Sequence, residues 1–210
     1  MKKFELTSET KINIFGKKLF RIKALISFGD VEAGETGGWV EKEGNVNQSG
    51  DAWVYGDAMV SGDAMVSGDA MVSGDAMVYG NAMVYGNAMV YGNAMVSGDA
   101  MVYGNAMVSG DAMVYGDAMV SGDARVYGDA MVSGDARVYG DADYTTIHGF
   151  GTQFRTTTFF RCKDKKVRVA CGCFFGTIPE FREQVKNTRK GKIAEEYLMI
   201  ADLMEKHFEK

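Results

Sequence analysis

The sequence predicts a mainly β protein in which a solenoid of very short strands forms the centre of the chain. From Gly50 to Gly140 the residues repeat every six positions as G-[D/N]-A-[M/R/W]-V-[S/Y]. Val recurs fifteen times in that stretch, from Val54 to Val138, and Ala stands two places before each Val. The segments on either side lose this period, so the chain divides into three parts.

The side of each strand that faces the core follows from residue size. Residues two apart in a strand point to the same side, so Ala and Val share one face. That pair never changes, whereas Ser and Tyr interchange freely after Val, although stacked coils need a constant core volume. Ala and Val are therefore predicted to be inside, and Met, Ser, Tyr, Trp53, Arg125 and Arg137 outside. Gly followed by Asp or Asn forms the corner between strands.

The repeat, written from Val as Val-Ser-Gly-Asp-Ala-Met, resembles the hexapeptide-repeat family. Members share an aliphatic residue, a small residue four places on and a turn between them. The resemblance implies a left-handed parallel β-helix of triangular section with three hexads per coil, hence about five triangular coils. Handedness comes from the resemblance alone, because the general rule for parallel crossovers is right-handed. If every third hexad stacks, Ser and Tyr alternate strictly along two of the three faces.

Residues 1–49 are predicted to form an N-terminal β-hairpin cap, because open solenoid ends expose unpaired strands. A two-residue turn is expected at Gly16 and Lys17. Trp39 is expected to cover the open end of the solenoid. Val46 and Gln48 are assigned to the inward positions of an imperfect first repeat.

Residues 50–143 form the predicted hexapeptide-repeat β-helix, and residues 144–210 a small C-terminal α+β module. That module is expected to contain a β-hairpin around residues 163–165. A helix should follow from Thr177, where Glu180 stands in capping-box spacing, and a second helix from about 192 to 208.

The charge of −5 is distributed unevenly along the chain. Residues 51–143 hold thirteen Asp against two Arg, a net of −11, whereas residues 144–210 hold thirteen basic and eight acidic residues, a net of +5. An acidic rod with a basic end disfavours nucleic-acid binding along the rod. We expect no membrane span, because no run approaches eighteen apolar residues. The start lacks the apolar stretch of a signal peptide, so a reduced cytoplasmic location is expected.

The whole layout resembles a group of proteins common in bacteriophages and prophages. The residues that carry this resemblance are LFRIKAL-x-x-FGDVEAGETGGWVE before the array, the GDAxV array itself, and TTFFR…VACGCFFGTIPEF behind it. The resemblance implies a viral origin and no established biochemical activity.

The array lacks the residues that catalysis would need. Enzymes of the hexapeptide-repeat family are mostly acyltransferases, which are expected to place a catalytic His on a coil and to break the repeat with loops. Residues 51–143 contain no His, no Cys and no insertion. Metal-dependent relatives need three His, and this chain has only His148 and His207. We therefore expect no catalytic residue and no cofactor, with an acyltransferase-like enzyme as an alternative.

Four residues near the C-terminus are candidate zinc ligands. His148, Cys162, Cys171 and Cys173 could supply four soft ligands. Alternate positions on one strand are also what core packing produces, so buried free cysteines and no metal are the preferred interpretation. Calcium binding at the Asp corners is likewise weighed against the preference of turns for Asp and Asn.

The outward Met and Tyr side chains are the feature that favours a binding role. Twelve Met and eight Tyr lie at outward positions of the array, more apolar surface than soluble monomers usually expose. We expect a non-catalytic scaffold or protein-binding module with an unidentified protein partner. It is expected to form a homo-oligomer by self-association through these faces, trimeric by analogy with other hexapeptide-repeat proteins. An inhibitor of a host defence protein is the alternative. The predicted binding residues are Tyr79, Tyr85, Tyr91, Tyr103, Tyr115, Arg125 and Arg137.

Overall fold

The computed structural model describes residues 2–209 and is mainly β. Three longer strands open the chain: β1 (Phe4–Ile12), β2 (Lys18–Ala24) and β3 (Thr36–Val40). A short 3-10 helix at Glu43–Asn45 leads into the repeat.

Fifteen two-residue strands, β4 to β18, follow at six-residue intervals. They are Trp53–Val54, Met59–Val60, Met65–Val66, Met71–Val72, Met77–Val78, Met83–Val84, Met89–Val90, Met95–Val96, Met101–Val102, Met107–Val108, Met113–Val114, Met119–Val120, Arg125–Val126, Met131–Val132 and Arg137–Val138. Each strand pairs in parallel with the strand three places further on, as Met71 does with Met89. One coil therefore takes 18 residues and the coils build three parallel sheets, which confirms the predicted stacking of every third hexad.

The core of the solenoid is the invariant Ala/Val pair. Every such Ala from Ala52 to Ala136 and every Val from Val54 to Val138 is buried. The corners use glycine with φ near +70°, a conformation that residues with a Cβ rarely adopt. Consecutive corners also approach closely: a Cβ on Gly92 would lie 3.1 Å from the backbone N of Gly110. Glycine is required there for both reasons.

The solenoid has about six turns, one more than the hexads alone supply. The extra turn comes from β3 and from Val46, because Val40 pairs with Val60 and Val46 with Val66. The spacing in this first turn is 20 residues instead of 18. Val46 is buried in the core as predicted, but it stacks on a Val and not on an Ala, so only its register within the hexad was wrong. Gln48 does not enter the core, contrary to the prediction, since its side chain bonds the backbone of Phe4.

Strands β1 and β2 form the predicted antiparallel hairpin and extend the sheet that contains β3. The turn is longer than the predicted two residues. Asn13 N donates to Lys17 O, and the Asn13 side chain accepts from the backbone N–H groups of Phe15 and Lys17. The side-chain oxygen of Asn13 thus organises a five-residue loop, because Asn readily forms such local bonds.

The two tryptophans differ in how they match the prediction. Trp39 does not cover the open end: it lies beside Met59 on the outer surface of the first turn, where Lys11 and Arg21 stack on its ring. Trp53 occupies an outward position of its strand, yet it is fully buried. The rings of Phe4 and Phe28 pack edge-on against it at 5.9 and 5.3 Å between ring centroids. Trp53 therefore faces outward as predicted, but the N-terminal segment covers it.

The N-terminal end of the solenoid is closed by hydrogen-bond donors. At the corners and strand ends the hydrogen bonds run from N–H groups of one coil to C=O groups of the next, as from Met59 N to Ala76 O, so the first coil presents free carbonyls there. Lys3 Nζ donates to Gly50 O and Ala52 O at 3.0 and 2.8 Å. The buried Asn45 Nδ2 donates to the carbonyls at the next such corner, at residues 62 and 64.

The C-terminal end has the opposite polarity and is closed by acceptors. Arg125 N donates to an Asp141 carboxylate oxygen, and Tyr139 N donates to a carboxylate oxygen of Asp143, both at 3.0 Å. Met131 N donates to the hydroxyl of Thr158 at 3.0 Å. These caps satisfy backbone groups that would otherwise be unpaired at an open sheet end.

After a 3-10 helix at Asp141–Asp143, four antiparallel strands form a separate sheet: β19 (Tyr144–Phe150), β20 (Arg155–Arg161), β21 (Val167–Cys171) and β22 (Phe174–Thr177). Two helices follow, α1 (Ile178–Thr188) and α2 (Gly191–Phe208). The predicted hairpin, both helices and the capping box of Thr177 with Glu180 are confirmed. Between residues 2 and 209 neither helix is long and apolar enough to span a membrane.

The C-terminal module packs on the last coil through β20. Phe160 and Ala170 belong to the same buried cluster as the solenoid core. Phe159 and Val169 point the other way and form a second core with both helices. The sheet of the module therefore joins the solenoid to the helices.

Candidate functional site

The outward side chains of the solenoid lie on three faces, one for each sheet. We name them by their most distinctive feature. The hairpin face carries Met59, Met77, Met95, Met113 and Met131; the tryptophan face carries Trp53, Met71, Met89, Met107 and Arg125; the stack face carries Met65, Met83, Met101, Met119 and Arg137.

The hairpin and tryptophan faces are partly covered by the N-terminal segment of the chain. On the hairpin face, Phe15 at the tip of the β1–β2 loop packs on Tyr79 with ring centroids 4.8 Å apart. On the tryptophan face, Trp53 lies beneath Phe4 and Phe28. Each of these faces therefore has part of its apolar surface occupied by the chain itself.

The stack face has two adjacent tyrosines where the other faces alternate Tyr with Ser. The rings of Tyr85 and Tyr103 are stacked with centroids 4.8 Å apart and an angle of 2° between planes. Burial raises the pKa of Tyr85, and the neighbouring Tyr103 adds to the shift. Tyr103 donates from its hydroxyl to Met119 Sδ at 3.0 Å. Met65 and Met83 are 44% and 40% exposed, so the face presents a continuous strip of Met and Tyr.

The corners beside the central tyrosines are uncharged. The four Asn corners, Asn81, Asn87, Asn93 and Asn105, each follow a Tyr-Gly pair, and the other corners of the array are Asp. Asn87 Nδ2 donates to Asn105 Oδ1, and Asn105 Nδ2 donates to Asp123 Oδ1, at 3.2 and 2.9 Å. The corner that follows the stacked tyrosines is therefore neutral at two successive coils. The Tyr-Gly-Asn pattern that marks this neutral stretch is a signal present in the sequence alone.

The two arginines of the array differ in their surroundings. Arg125 is exposed at the last coil of the tryptophan face. Arg137, on the stack face, donates from Nη1 to the carbonyls of Asp117 and Ala136 at 2.9 and 2.8 Å. The Arg137 guanidinium therefore stabilises a corner of the solenoid, in addition to any contact it makes with a partner.

The seven predicted binding residues do not form one surface. Tyr79 and Tyr115 lie on the hairpin face and Tyr91 and Arg125 on the tryptophan face; the stack face brings together Tyr85, Tyr103 and Arg137. Opposite sides of a solenoid cannot contact one partner surface together. The stack face is the one on which predicted residues touch each other.

The four candidate zinc ligands are not brought together. Cys162 lies at the turn of the β20–β21 hairpin, whereas Cys171 pairs with Thr157, five residues along the strand or roughly 16 Å away. His148 bonds the Thr156 hydroxyl. Among residues 2–209, no group of three His, Cys, Asp or Glu side chains is placed to hold a metal ion.

Of the three cysteines only Cys162 is buried, so the expected burial of all of them was wrong. Burial, with a smaller contribution from Asp135, raises the pKa of Cys162 to about 12 and makes its thiol a poor ligand or nucleophile. Cys171 is half-buried and Cys173 exposed. Both lie at the β21–β22 turn because the hairpin reverses there over only two residues.

The turn with Cys171 and Cys173 borders a cavity of about 160 Å³ between the sheet and helix α1. Its apolar wall comes from Phe174, Phe181, Val185 and Tyr197, and its polar rim from Arg155, Arg189, Gln184, Thr188 and the two cysteines. A larger groove of about 670 Å³ separates the last coil from the end of α2 and has a mainly basic lining, with Arg137, Arg161, Lys163 and Lys165. In that groove Arg161 is already engaged by Phe208 O at 2.8 Å.

The fold and its repeat define this chain as a β-solenoid repeat protein. A family model described as "YdcK Beta solenoid repeat" matches residues 52–68, 76–90, 82–98, 88–104, 100–122 and 124–140. These matches cover the array and less than half of the chain, so the array is similar to that repeat family while the two flanking parts lie outside the match. Among curated proteins none matches the sequence.

Proposed function

We propose that the protein is a non-catalytic scaffold that associates with copies of itself through the stack face. The observation that carries this proposal is the continuous strip formed by Met65, Met83, Met101 and Met119 beside the stacked Tyr85 and Tyr103. Flexible Met side chains adapt to an opposing surface, and Tyr is enriched at interface cores.

The charge of the corners supports the choice of this face. Interface cores are depleted of charged residues, since an unpaired charge is costly to remove from water. Asn87 and Asn105 replace Asp at the two corners beside the stacked tyrosines. The line of corners that includes Asn87 and Asn105 has no carboxylate at its centre, so two copies can approach there without opposing carboxylates. The Asp corners at both ends of the same line would repel those of a second copy and limit the contact.

The remaining features of the proposal rest on the resemblances. Five coils of hexads wound left-handedly and a trimeric assembly follow from the hexapeptide-repeat family, and a bacteriophage origin from the flanking motifs. A phage protein of this kind would engage its host or viral partner through the surfaces that self-association leaves open, including the basic C-terminal module.

The experiment compares matched Met→Lys substitutions on two faces. Met101→Lys places a charge in the middle of the stack face, and Met89→Lys places one in the same hexad position on the tryptophan face. Light scattering across a concentration series should show an oligomer for the wild type and for M89K, and a monomer for M101K. A monomeric wild type, or equal effects of the two substitutions, would contradict the proposal. Turnover of acyl-CoA donors by the purified protein would contradict the non-catalytic role.

A further inference from the structure

The cavity beside the β21–β22 turn has a composition that the scaffold role does not require. We propose that it binds a small carboxylate with a flat apolar body, about the size of benzoate. The inference is independent of self-association, since the cavity lies in the C-terminal module and not on the stack face.

Two guanidinium groups give the cavity its charge. Arg155 and Arg189 both line it, and neither forms an ion pair with a carboxylate of residues 2–209. Arg155 is the first residue of β20 and Arg189 directly follows the end of α1, so elements distant in sequence bring the two positive charges to one place. Arginine forks match the geometry of a carboxylate and can bind it in a bidentate manner.

The β21–β22 turn leaves room for the Arg155 guanidinium. Gly172 has φ +58°, and a Cβ at this position would collide with the Arg155 guanidinium. The absence of a side chain at this glycine therefore lets Arg155 lie against the backbone of the turn. A cysteine stands on either side of Gly172 and lines the same cavity.

The wall of the cavity is aromatic. The Phe174 and Phe181 ring centroids are 5.4 Å apart, and Phe181 packs edge-on against Tyr197 at 5.8 Å. Cys171, Arg155 and Arg189 line the same cavity as Tyr197, and burial raises the pKa of the Tyr197 hydroxyl, with Cys171 adding to the shift and the two arginines opposing it. That hydroxyl donates to Phe150 O at 3.1 Å and is held in place.

The size of the cavity selects the class of ligand. At about 160 Å³ it is close to the cavity of about 150 Å³ that accommodates benzene in an engineered protein. A flat ring would stack against the aromatic wall, and its carboxylate would face the two guanidinium groups. Cations are disfavoured at this site by the same charges, which also argues against a metal at Cys171 and Cys173.

The test uses benzoate as the probe and Cys173 as the reporter. Benzoate should slow alkylation of the exposed Cys173 by iodoacetamide, followed by mass spectrometry, with a dissociation constant on the order of 1 mM for a ligand of this size. Benzyl alcohol, which has the same ring and no charge, should protect at least about tenfold less well. The buried Cys162 is the internal reference, since its alkylation should not respond to benzoate.

Three variants distinguish binding of benzoate by the two cavity arginines from a general effect of positive surface charge. R155Q and R189Q should each weaken protection by benzoate about tenfold or more, because each removes a charged donor to the carboxylate. K163Q removes one positive charge at the far turn of the β20–β21 hairpin and should leave protection unchanged. Equal protection by benzyl alcohol, no protection by benzoate, or an effect of K163Q as large as that of R189Q would overturn the proposal. Far-UV circular dichroism of each variant identifies any that fail to fold, and R189Q, at an exposed helix end, is the variant expected to fold in every case.

Discussion

Substituting alanine for one corner glycine tests whether the coils stack as closely as the structure shows. Gly92 lies in the middle of the array with φ +72°, and its Cβ would lie 3.1 Å from Gly110 N and 3.2 Å from Gly110 O. Gly128, in the last coil, has a similar φ of +65° but no atom within 4 Å of the same position. The pair therefore separates the cost of the backbone conformation from the cost of the stacked neighbour.

The expected magnitudes follow from these two terms. A residue with a Cβ in the left-handed region costs about 1–2 kcal/mol, and the lower entropy of the unfolded chain offsets about 0.5–1 kcal/mol of it. Gly128→Ala should therefore lower the free energy of unfolding by about 1 kcal/mol. Gly92→Ala should cost about 1–2 kcal/mol more, because Gly110 O is held in the ladder by Asn93 N at 2.9 Å and cannot easily move away.

Urea unfolding followed by circular dichroism measures both variants. Gly56 provides a second control at the other end, since its φ is +59° and its nearest neighbour, Gly74 O, is at an ordinary 3.7 Å. This control matters because the last coil of a solenoid can unfold locally and hide the cost of a substitution. If Gly92→Ala proves no more destabilising than both controls, the close approach of successive corners is wrong.

Three further predictions concern the flanking parts of the chain. Burial lowers the pKa of Lys3 to about 8, below the 10.5 of the unfolded chain. The free energy of unfolding of the wild type relative to Lys3→Met should therefore rise by at most about 3 kcal/mol as the pH increases from 8 to 10.5. Urea unfolding at several pH values measures this difference, and a difference that does not change with pH would contradict the prediction. Asn45→Asp should lower the free energy of unfolding by about 3 kcal/mol or more, because it sets a carboxylate against two backbone carbonyls. The control is Asn47→Asp, which should have little effect on the melting temperature, because the side chain of Asn47 only accepts a hydrogen bond from Ser49. Thr177→Ala should cost about 1 kcal/mol through loss of the helix cap, measured by urea unfolding of the module.

The parts of the fold that could be predicted are those in which the pattern is local. The constant Ala/Val pair reflects the same core volume in every hexad, and each glycine reflects the same corner conformation. The 18-residue coil and its core therefore follow from the sequence. Val46 was misplaced because the corner between Val46 and Val54 is two residues longer than the others, and a register based on Gly44 and Gly50 cannot detect this. The burial of Trp53 depends on Phe4 and Phe28, which approach it only through the folded hairpin segment.

The candidate site was predictable to a similar extent. Tyr85 and Tyr103 could be assigned to one face from the period, and the structure adds that their rings stack. The cavity at the β21–β22 turn could not be foreseen, because Arg155 and Arg189 are 34 positions apart and no repeat relates them. Cys162 was grouped with Cys171 because both flank one hairpin, but the register of that hairpin sets them at opposite ends.

Because the two solenoid ends have opposite hydrogen-bonding polarity, the number of coils between them can change while the bonds of the caps stay the same. Every inner coil offers the same corner carbonyls towards the N-terminal cap and the same corner N–H groups towards the C-terminal cap, so the backbone bonds of either cap could be made with any coil. Gain or loss of 18 residues within the array would change the distance between the caps by about 4.8 Å and leave both junctions intact. A change of 6 or 12 residues would instead turn the C-terminal module by a third of a revolution about the solenoid axis. The separation of the two ends can therefore change in steps of one coil without a change in either cap.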